Sequence, residues 1–341
     1  LHPDEIEQLY HDYKAGEEME DSWKHFFQGF ELAQANYADS APKSHITKEF
    51  DVINLIGSYR KRGHLFTKTN PVRARRKYFP TLDIENFNLS KADLETEFEA
   101  GKLIGIGKVK LKTIISALEK TYCANIGAEY MFIRQPEVTQ WLEDKMATSQ
   151  NQPEFSDEER RHIFWHLNHA VGFEQFIHRK FVGQKRFSLE GGEALIPALD
   201  AVIERGAELG VEAFVIGMSH RGRLNVLGNT MHKDYRAIFE EFTAKKYKTG
   251  NLLGDVKYHL GFSNKIKAHN KKEVELHLLP NPSHLELVAP VVEGVSRAKI
   301  EGKFADDENK LVPIIIHGDA AISGQGVVYE TVQMSQLDGY R

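Results

Sequence analysis

Three segments of the chain share one design, in which a short apolar run leads into a polar loop and then into a helical pattern. The apolar runs are Ala213–Gly217, Val274–Leu279 and Val312–His317. Apolar strands that alternate with helices predict a mostly parallel sheet with helices on both faces. In such a sheet, ligands bind beyond the carboxyl ends of the strands. The repeated design therefore predicts an α/β domain with a binding site at that edge.

The three polar loops are expected at this same edge. They are Ser219–Arg223, Asn281–His284 and Gly318–Gly326. Helices that follow such loops offer free backbone N–H groups and a positive dipole end, which favour a phosphate group. Glycines in the loops let the backbone come close to it. The three loops together predict a phosphate or diphosphate site. No single loop would be sufficient for this prediction by itself.

Two helix starts are marked by their side chains. Ser283 and Glu286 have the spacing of a capping box, which predicts a helix that begins near Leu285. The run Ser156–Glu158 is a typical helix N-terminus and predicts a long helix after it.

Three histidines lie next to glycine- or proline-marked loops: His220, His259 and His284. We expect them to form hydrogen bonds or to stabilise charge toward an acidic substrate. A metal site is the alternative, but no two of the three have the close spacing typical of zinc ligands. His162 and His166 have that spacing, and we interpret them as helix surface.

Three further residues have two interpretations each. Asp319, at the end of an apolar strand, is either a Mg²⁺ ligand or a helix cap, and spacing slightly favours the cap. Arg186 is either a diphosphate clamp or a surface arginine. Ser283 beside a histidine suggests a hydrolase, but no Gly-x-Ser-x-Gly elbow surrounds it, so we do not expect nucleophilic catalysis.

Upstream of residue 150 the pattern is helical. Residues 49–150 show helical periodicity, for example over Leu103–Leu118, and predict a small helical domain. The stretch Ala38–Lys48 is interpreted as a linker. The basic clusters Arg60–Arg62 and Arg73–Lys77 are interpreted as solvated faces rather than ligand sites.

Residues 1–40 form an acidic, aromatic arm. Ten acids against two lysines give this arm a charge of −8, so the other 301 residues carry +3 of the net −5. This charge distribution is not the one expected of a nucleic-acid-binding protein. The aromatic residues recur at roughly helical spacing, which predicts a helix that either packs on its own protein or docks to another subunit.

Composition excludes two further classes. The chain has no run of about 18 apolar residues, so we expect no membrane span. Cys123 is the only cysteine, so no intrachain disulfide can form, which fits a reducing compartment.

The chain begins at Leu1, and we expect the true N-terminus to be missing. The bacterial cytoplasm is the expected location, with the mitochondrial matrix as the alternative.

Five motifs occur together in a characteristic order. They resemble those of the E1 components of 2-oxoglutarate dehydrogenase, and the segments Ser58–His64 and Ser22–Phe30 resemble the helical domain and N-terminal segment of that family. The five motifs are Phe187–Gly192, Gly217–Leu227, Gly254–Gly261, Asn281–Glu286 and His317–Val328.

The resemblance implies roles for particular residues. It implies that Asp319 is a Mg²⁺ ligand. The implied contacts to thiamine diphosphate are Arg186, Ser283, Leu285, Asp319, Ala320 and Ala321. The implied substrate contacts are His220, Arg221, His259 and Ser283, of which His220 and His259 are also implied to be catalytic.

The implied activity is the oxidative decarboxylation of 2-oxoglutarate, with transfer of the succinyl group to lipoamide on E2. Thiamine diphosphate and Mg²⁺ are the implied cofactors. The implied partners are the E2 dihydrolipoyl succinyltransferase, E3 and a second copy of the full-length chain, with neither nucleic acid nor membrane. The implied architecture is an acidic helical arm (1–40), a small helical domain (41–150) and a truncated parallel-sheet, diphosphate-binding α/β domain (151–341).

The chain departs from the family at its end. The family motif closes with paired asparagines a few tens of residues after Gly-Asp, whereas Arg341 lies 22 residues past Asp319. We therefore expect the 341 residues by themselves to be inactive and to bind the cofactor weakly. A 2-oxoadipate-specific homologue and a non-catalytic scaffold are the alternatives.

Overall fold

The computed structural model divides the chain into two compact units, Leu1–Glu154 and Phe155–Arg341. The linker predicted over Ala38–Lys48 falls partly outside the described residues, as do residues 254–257 of one motif. The structure describes residues 3–17, 19–20, 23–24, 26–28, 30, 43–70, 72–243, 258–335, 337–338 and 340.

The first unit is mainly helical in its described part. Short 3₁₀ turns and a two-residue antiparallel ladder connect its helices, and its core includes Leu55, Leu111 and Leu118. Its elements are α1 (Pro3–Ala15), α2 (Lys43–Arg62), β1 (Glu97–Phe98), β2 (Val109–Lys110), α3 (Leu111–Tyr122) and α4 (Pro136–Ser149).

Two local predictions in this unit are wrong. The predicted linker extends to Lys48, but α2 already begins at Lys43. Val109 was predicted helical and lies in β2, where it pairs with Phe98. Apolar spacing over so few residues fits either a helix or a strand, and pairing with a neighbouring strand decides which of the two forms.

The arm and one basic cluster make specific contacts. Phe27 is buried, with its ring 5.2 Å from Tyr10 and 5.4 Å from Tyr13. Arg60 is not a solvated residue as predicted, because its side chain is largely buried and pairs with Glu143 at 2.9 Å. Whether the arm also docks to another subunit stays a prediction.

The second unit contains the three repeated segments. Its long first helix begins as predicted: Ser156 accepts a hydrogen bond from the Glu159 N–H and donates to the Glu159 carboxylate. The elements are α5 (Asp157–Lys180), α6 (Leu195–Leu209), β3 (Ala213–Met218), α7 (Arg223–Asn229), α8 (Tyr235–Thr243), β4 (Phe262–Lys267), β5 (Glu273–Leu278), α9 (Val288–Lys303), β6 (Leu311–Ile316), α10 (Asp319–Gly324) and α11 (Gly326–Met334).

The sheet of this unit has the strand order β4-β5-β3-β6. The central strand β3 is buried along its whole length and pairs in parallel with both β5 and β6. The predicted mostly parallel sheet is therefore confirmed, and the unit is α/β. The antiparallel strand β4 was not predicted. Pro313 lies in β6, at the end of the strand order, where a missing N–H costs no ladder bond.

Two predictions for the loops are wrong. The helix predicted from Leu285 begins at Val288, and no capping box forms, because the buried Glu286 carboxylate accepts a hydrogen bond from His317 instead. The segment predicted as the loop Gly318–Gly326 is largely helical, since α10 begins at Asp319. Alanines at positions 320 and 321 favour helix strongly enough to start it there.

The side chain of Arg223 ties the strand ends together. It is fully buried, and its guanidinium donates to the carbonyl oxygens of Met218 (2.7 Å), Leu279 (2.9 Å) and Leu260 (3.0 Å). These carbonyls belong to the last residue of β3, to the residue after β5 and to the segment before β4. Three chain segments at the carboxyl edge therefore share one fixed cation.

Every helix in the described part of the chain falls short of the length or hydropathy required to span a bilayer.

We predict that Arg223→Met lowers the free energy of unfolding by about 3 kcal/mol, since it leaves buried carbonyl oxygens without their donor. Chemical denaturation measures this loss. Arg205→Met is the matched control, because Arg205 is exposed and bonds only Glu208 on its own helix in the described structure, and we expect it to change stability by less than about 0.5 kcal/mol. Equal effects of the two substitutions would contradict the assigned role of Arg223.

Candidate functional site

Three imidazoles meet at the carboxyl edge of the sheet. The His220 ring lies 4.8 Å from the His284 ring, edge to face, and 5.7 Å from the His259 ring, nearly parallel to it. His220 follows β3, His259 precedes β4 and His284 follows β5. The predicted convergence of the loop histidines is therefore present in the structure.

Two aromatic side chains enclose this cluster on one side. Phe187 stacks on His220 at 3.7 Å, and Tyr258 lies 4.8 Å from Phe187 and 5.2 Å from His259. The Gly222 N–H donates to the Phe187 carbonyl at 2.8 Å. Gly222 has a φ of +76°, and a Cβ there would lie 2.6 Å from the Leu189 side chain, so only glycine suits this turn.

His220 is neutral at physiological pH. Burial, together with electrostatic repulsion from the neighbouring side chains of His284, His259, Arg221 and Arg223, lowers its pKa from 6.5 to about 4. A neutral imidazole can donate one hydrogen bond and accept one. The site therefore favours hydrogen bonding by His220 over the charge stabilisation that was also predicted for it.

The second loop fixes the tautomer of His259. The backbone N–H of Ser283 donates to His259 Nε2 at 3.2 Å, so this nitrogen carries no proton and the ring proton lies on Nδ1. Asn281 is buried and holds the loop in place, with its Nδ2 group donating to the carbonyls of Met218 (3.0 Å) and Ser283 (2.7 Å). Asn281 Oδ1 is buried without a hydrogen-bond partner among the described residues.

The third loop approaches the cluster through Gly318. A Cβ at this position would lie 2.6 Å from His284 Nδ1, so the backbone passes directly beside that ring. The preceding residue, His317, is paired with the buried Glu286 of the second loop. This hydrogen bond joins the loops after β5 and β6.

Asp319 begins α10 at the same edge. Its carboxylate is exposed, and it caps nothing, since Gly318 is the N-cap residue and no side-chain cap bond forms. The cap interpretation of Asp319 is therefore wrong. Ala320 is exposed and Ala321 half-buried in the same first turn. A carboxylate with no side-chain partner among the described residues, beside small side chains, has the chemistry that a cation and a diphosphate require.

Arg186 is held by carboxylates in this structure. Its guanidinium donates to the buried Glu174 at 2.8 Å and to Glu190 at 3.1 Å. It lies next in sequence to Phe187, which brings it to the border of the histidine cluster. The interpretation as a free surface arginine is therefore wrong, whereas the diphosphate clamp and contact with a cofactor stay predictions.

Comparison with known proteins identifies the family. Residues 166–341 match the model of the dehydrogenase E1 component, which is more than half of the chain. The chain belongs to the dehydrogenase E1 component family.

Three relatives of this E1 family chain are informative. A 2-oxoglutarate dehydrogenase E1 component of Azotobacter vinelandii is 42% identical over 91% of the chain and 33% of its own length. A multifunctional 2-oxoglutarate metabolism enzyme of Mycolicibacterium vanbaalenii is 43% identical over 88% of the chain and 25% of its own length. A 2-oxoglutarate dehydrogenase E1 component of Cupriavidus necator is 41% identical over 86% of the chain and 31% of its own length. The chain thus spans a third or less of the curated relatives it matches.

Besides Arg186 and the three residues of α10, the predicted site residues of this E1 chain fall into two groups. His220, His259 and Ser283 lie within one contact network. Arg221 and Leu285 are exposed beside it and form no side-chain hydrogen bond or ion pair among the described residues. Several residues of the network were not predicted as site residues, although all lie within the five motifs: Phe187, Arg223, Tyr258, Asn281, Glu286 and His317.

We predict that stability depends on pH through His220. The unfolded chain binds more protons than the folded one between pH 6.5 and about pH 4, so the free energy of unfolding falls as the pH decreases through this window. An NMR titration of the His220 ring should give a pKa of about 4. His220→Asn should flatten the dependence of stability on pH. A midpoint at the ordinary histidine value would contradict the burial argument.

Proposed function

We propose that this chain provides the diphosphate- and substrate-binding part of an E1 enzyme that oxidatively decarboxylates 2-oxoglutarate and transfers the succinyl group to lipoamide on E2. The observation that carries this proposal is the meeting of His220, His259 and His284 beside Gly318 and Asp319. The names of the three relatives refer to 2-oxoglutarate, which supports 2-oxoglutarate as the substrate.

Asp319 would ligate Mg²⁺ in this enzyme, because its carboxylate is exposed and lacks a partner among the described residues. Ala320 and Ala321 would line the diphosphate, and the Ser283–Leu285 segment would contact thiamine diphosphate. When bound, the cofactor supplies the electron sink for loss of CO₂. Arg186 would reach the diphosphate by exchanging one of its carboxylate partners.

The histidines would orient the substrate by hydrogen bonding. His220 is neutral and buried, and His259 is held by Ser283 with its proton on Nδ1, so both rings can donate to a carboxylate or carbonyl oxygen. The exposed guanidinium of Arg221 supplies the positive charge that a dicarboxylate requires. Phe187 and Tyr258 exclude water from one side of these rings.

The wider assembly follows from the same proposal. The E2 succinyltransferase and E3 would be partners, with the arm of residues 1–40 as the docking element before domains 41–150 and 151–341. The enzyme would act as a homodimer, in the bacterial cytoplasm. The aromatic contacts of the arm leave Phe26 half-exposed, which supports a further partner.

We predict that Asp319→Asn weakens the Mg²⁺-dependent binding of thiamine diphosphate by at least about tenfold, because one charged metal ligand is lost. Isothermal titration calorimetry on a protein that contains these 341 residues measures the affinity. Glu330→Gln, an exposed acid on α11, is the matched control and should bind normally. Equal affinity of the two variants would remove Asp319 from the metal site.

We predict that His220→Asn and His259→Asn each lower kcat/KM for 2-oxoglutarate by about 100-fold, because the shorter asparagine amide cannot place its N–H where the imidazole N–H lies. Decarboxylation with an artificial electron acceptor measures this in a protein that contains the chain. His169→Asn is the control, since His169 is exposed on α5 and bonds a carbonyl of its own helix. Faster turnover of 2-oxoadipate than of 2-oxoglutarate would reassign the substrate, and unchanged rates in both variants would refute the histidine roles.

A further inference from the structure

Two helices of the second unit hold a cluster of ligand-type side chains that the proposed function does not use. His162 and His166 lie one turn apart on α5, and Asp200 lies on α6. One side-chain nitrogen or oxygen from each residue lies within 4.8 Å of the others. The prediction that the two histidines are helix surface is wrong for His166, which is buried.

The spacing of the donor atoms fits a shared cation. His162 Nε2 lies 2.7 Å from one Asp200 oxygen, His166 Nε2 lies 3.3 Å from the other, and the two nitrogens are 3.2 Å apart. Tetrahedral ligands at ordinary zinc bond lengths are about 3.3 Å apart. The nitrogen–nitrogen distance and the contact between His166 and Asp200 are therefore near the separation that coordination requires, and a bound cation would lengthen the shorter contact between His162 and Asp200.

Hydrogen bonds among these three side chains cannot satisfy both Nε2 atoms and the Asp200 carboxylate at once. If both Nε2 atoms donate to Asp200, two N–H groups face each other across 3.2 Å. If one nitrogen instead accepts from the other, it cannot also donate to the carboxylate. A cation would bind all three lone pairs at once, with the ring protons on the Nδ1 atoms.

Charge and access also suit a metal ion. An aspartate carboxylate is ionised at neutral pH, so Asp200 adds a negative charge to the two imidazole donors. The His166 side chain is only 6% exposed, whereas that of His162 is 35% exposed. An ion can thus enter from the solvent side and reach a buried inner ligand.

We propose that His162, His166 and Asp200 form a site for a divalent transition-metal ion of the zinc class, which fastens α5 to α6. Imidazole and carboxylate donors suit such ions. A water molecule completes the coordination, or His269, whose ring lies 4.8 Å from the His162 ring. The site is separate from the histidine cluster at the sheet edge and does not depend on the proposed function.

The test titrates Zn²⁺ into chelator-treated protein that contains the whole chain. Calorimetry should show one tight equivalent that is weakened at least tenfold in His162→Asn and in Asp200→Asn. Co²⁺ in the same protein should give the visible bands of a four-coordinate site, and Zn²⁺ should raise the melting temperature of the unmodified protein but not of Asp200→Asn.

Two controls separate this site from others. His169→Asn, on the same helix, and His220→Asn, at the sheet edge, should bind Zn²⁺ with unchanged affinity. If His166→Asn does not fold, the more exposed His162 and Asp200 variants decide the outcome. Unaltered affinity in those two variants, or the loss of binding in His220→Asn, would overturn the proposal.

Discussion

The buried guanidinium of Arg223 organises the carboxyl edge of the sheet. Burial lowers its pKa to about 10, so it is still charged at neutral pH, and it is bonded to three backbone carbonyls. Those carbonyls gather at the edge because β3 and β5 are parallel and end there. A single charge with several fixed donors can satisfy them together, which a neutral side chain of this size cannot do.

The same cation influences the chemistry of the site. Arg223 is one of the positive neighbours that, after burial, lower the pKa of His220. The interaction that holds the loops together therefore also adds to the lowering of this pKa, of which burial is the largest cause. An acidic ligand at the edge would add the negative charge that the cluster lacks, and would meet hydrogen-bond donors already fixed by Ser283 and Phe187.

The sequence could predict what depends on local signals. Strands β3, β5 and β6 appear as apolar runs, and the rule for parallel sheets then places His220 and His284, in the loops after β3 and β5, at one edge. Contacts between distant residues could not be predicted in this way. Glu286 has capping-box spacing with Ser283, but its carboxylate accepts a hydrogen bond from His317, 31 positions later, in place of the cap. Whether a short periodic segment such as β4 forms a strand likewise depends on the strand that it pairs with, here β5.

The two histidine clusters differ because their neighbours differ in charge. At the sheet edge, His220 is surrounded by other histidines and arginines, so a metal cation there would add to existing positive charge. Between α5 and α6, the histidine pair faces the carboxylate of Asp200, 38 positions from His162, and a cation would be neutralised in part. Imidazole spacing along the chain is therefore a weak guide to metal binding, since the decisive carboxylate comes from another helix. The same residue type can serve an acidic substrate in one place and a cation in the other.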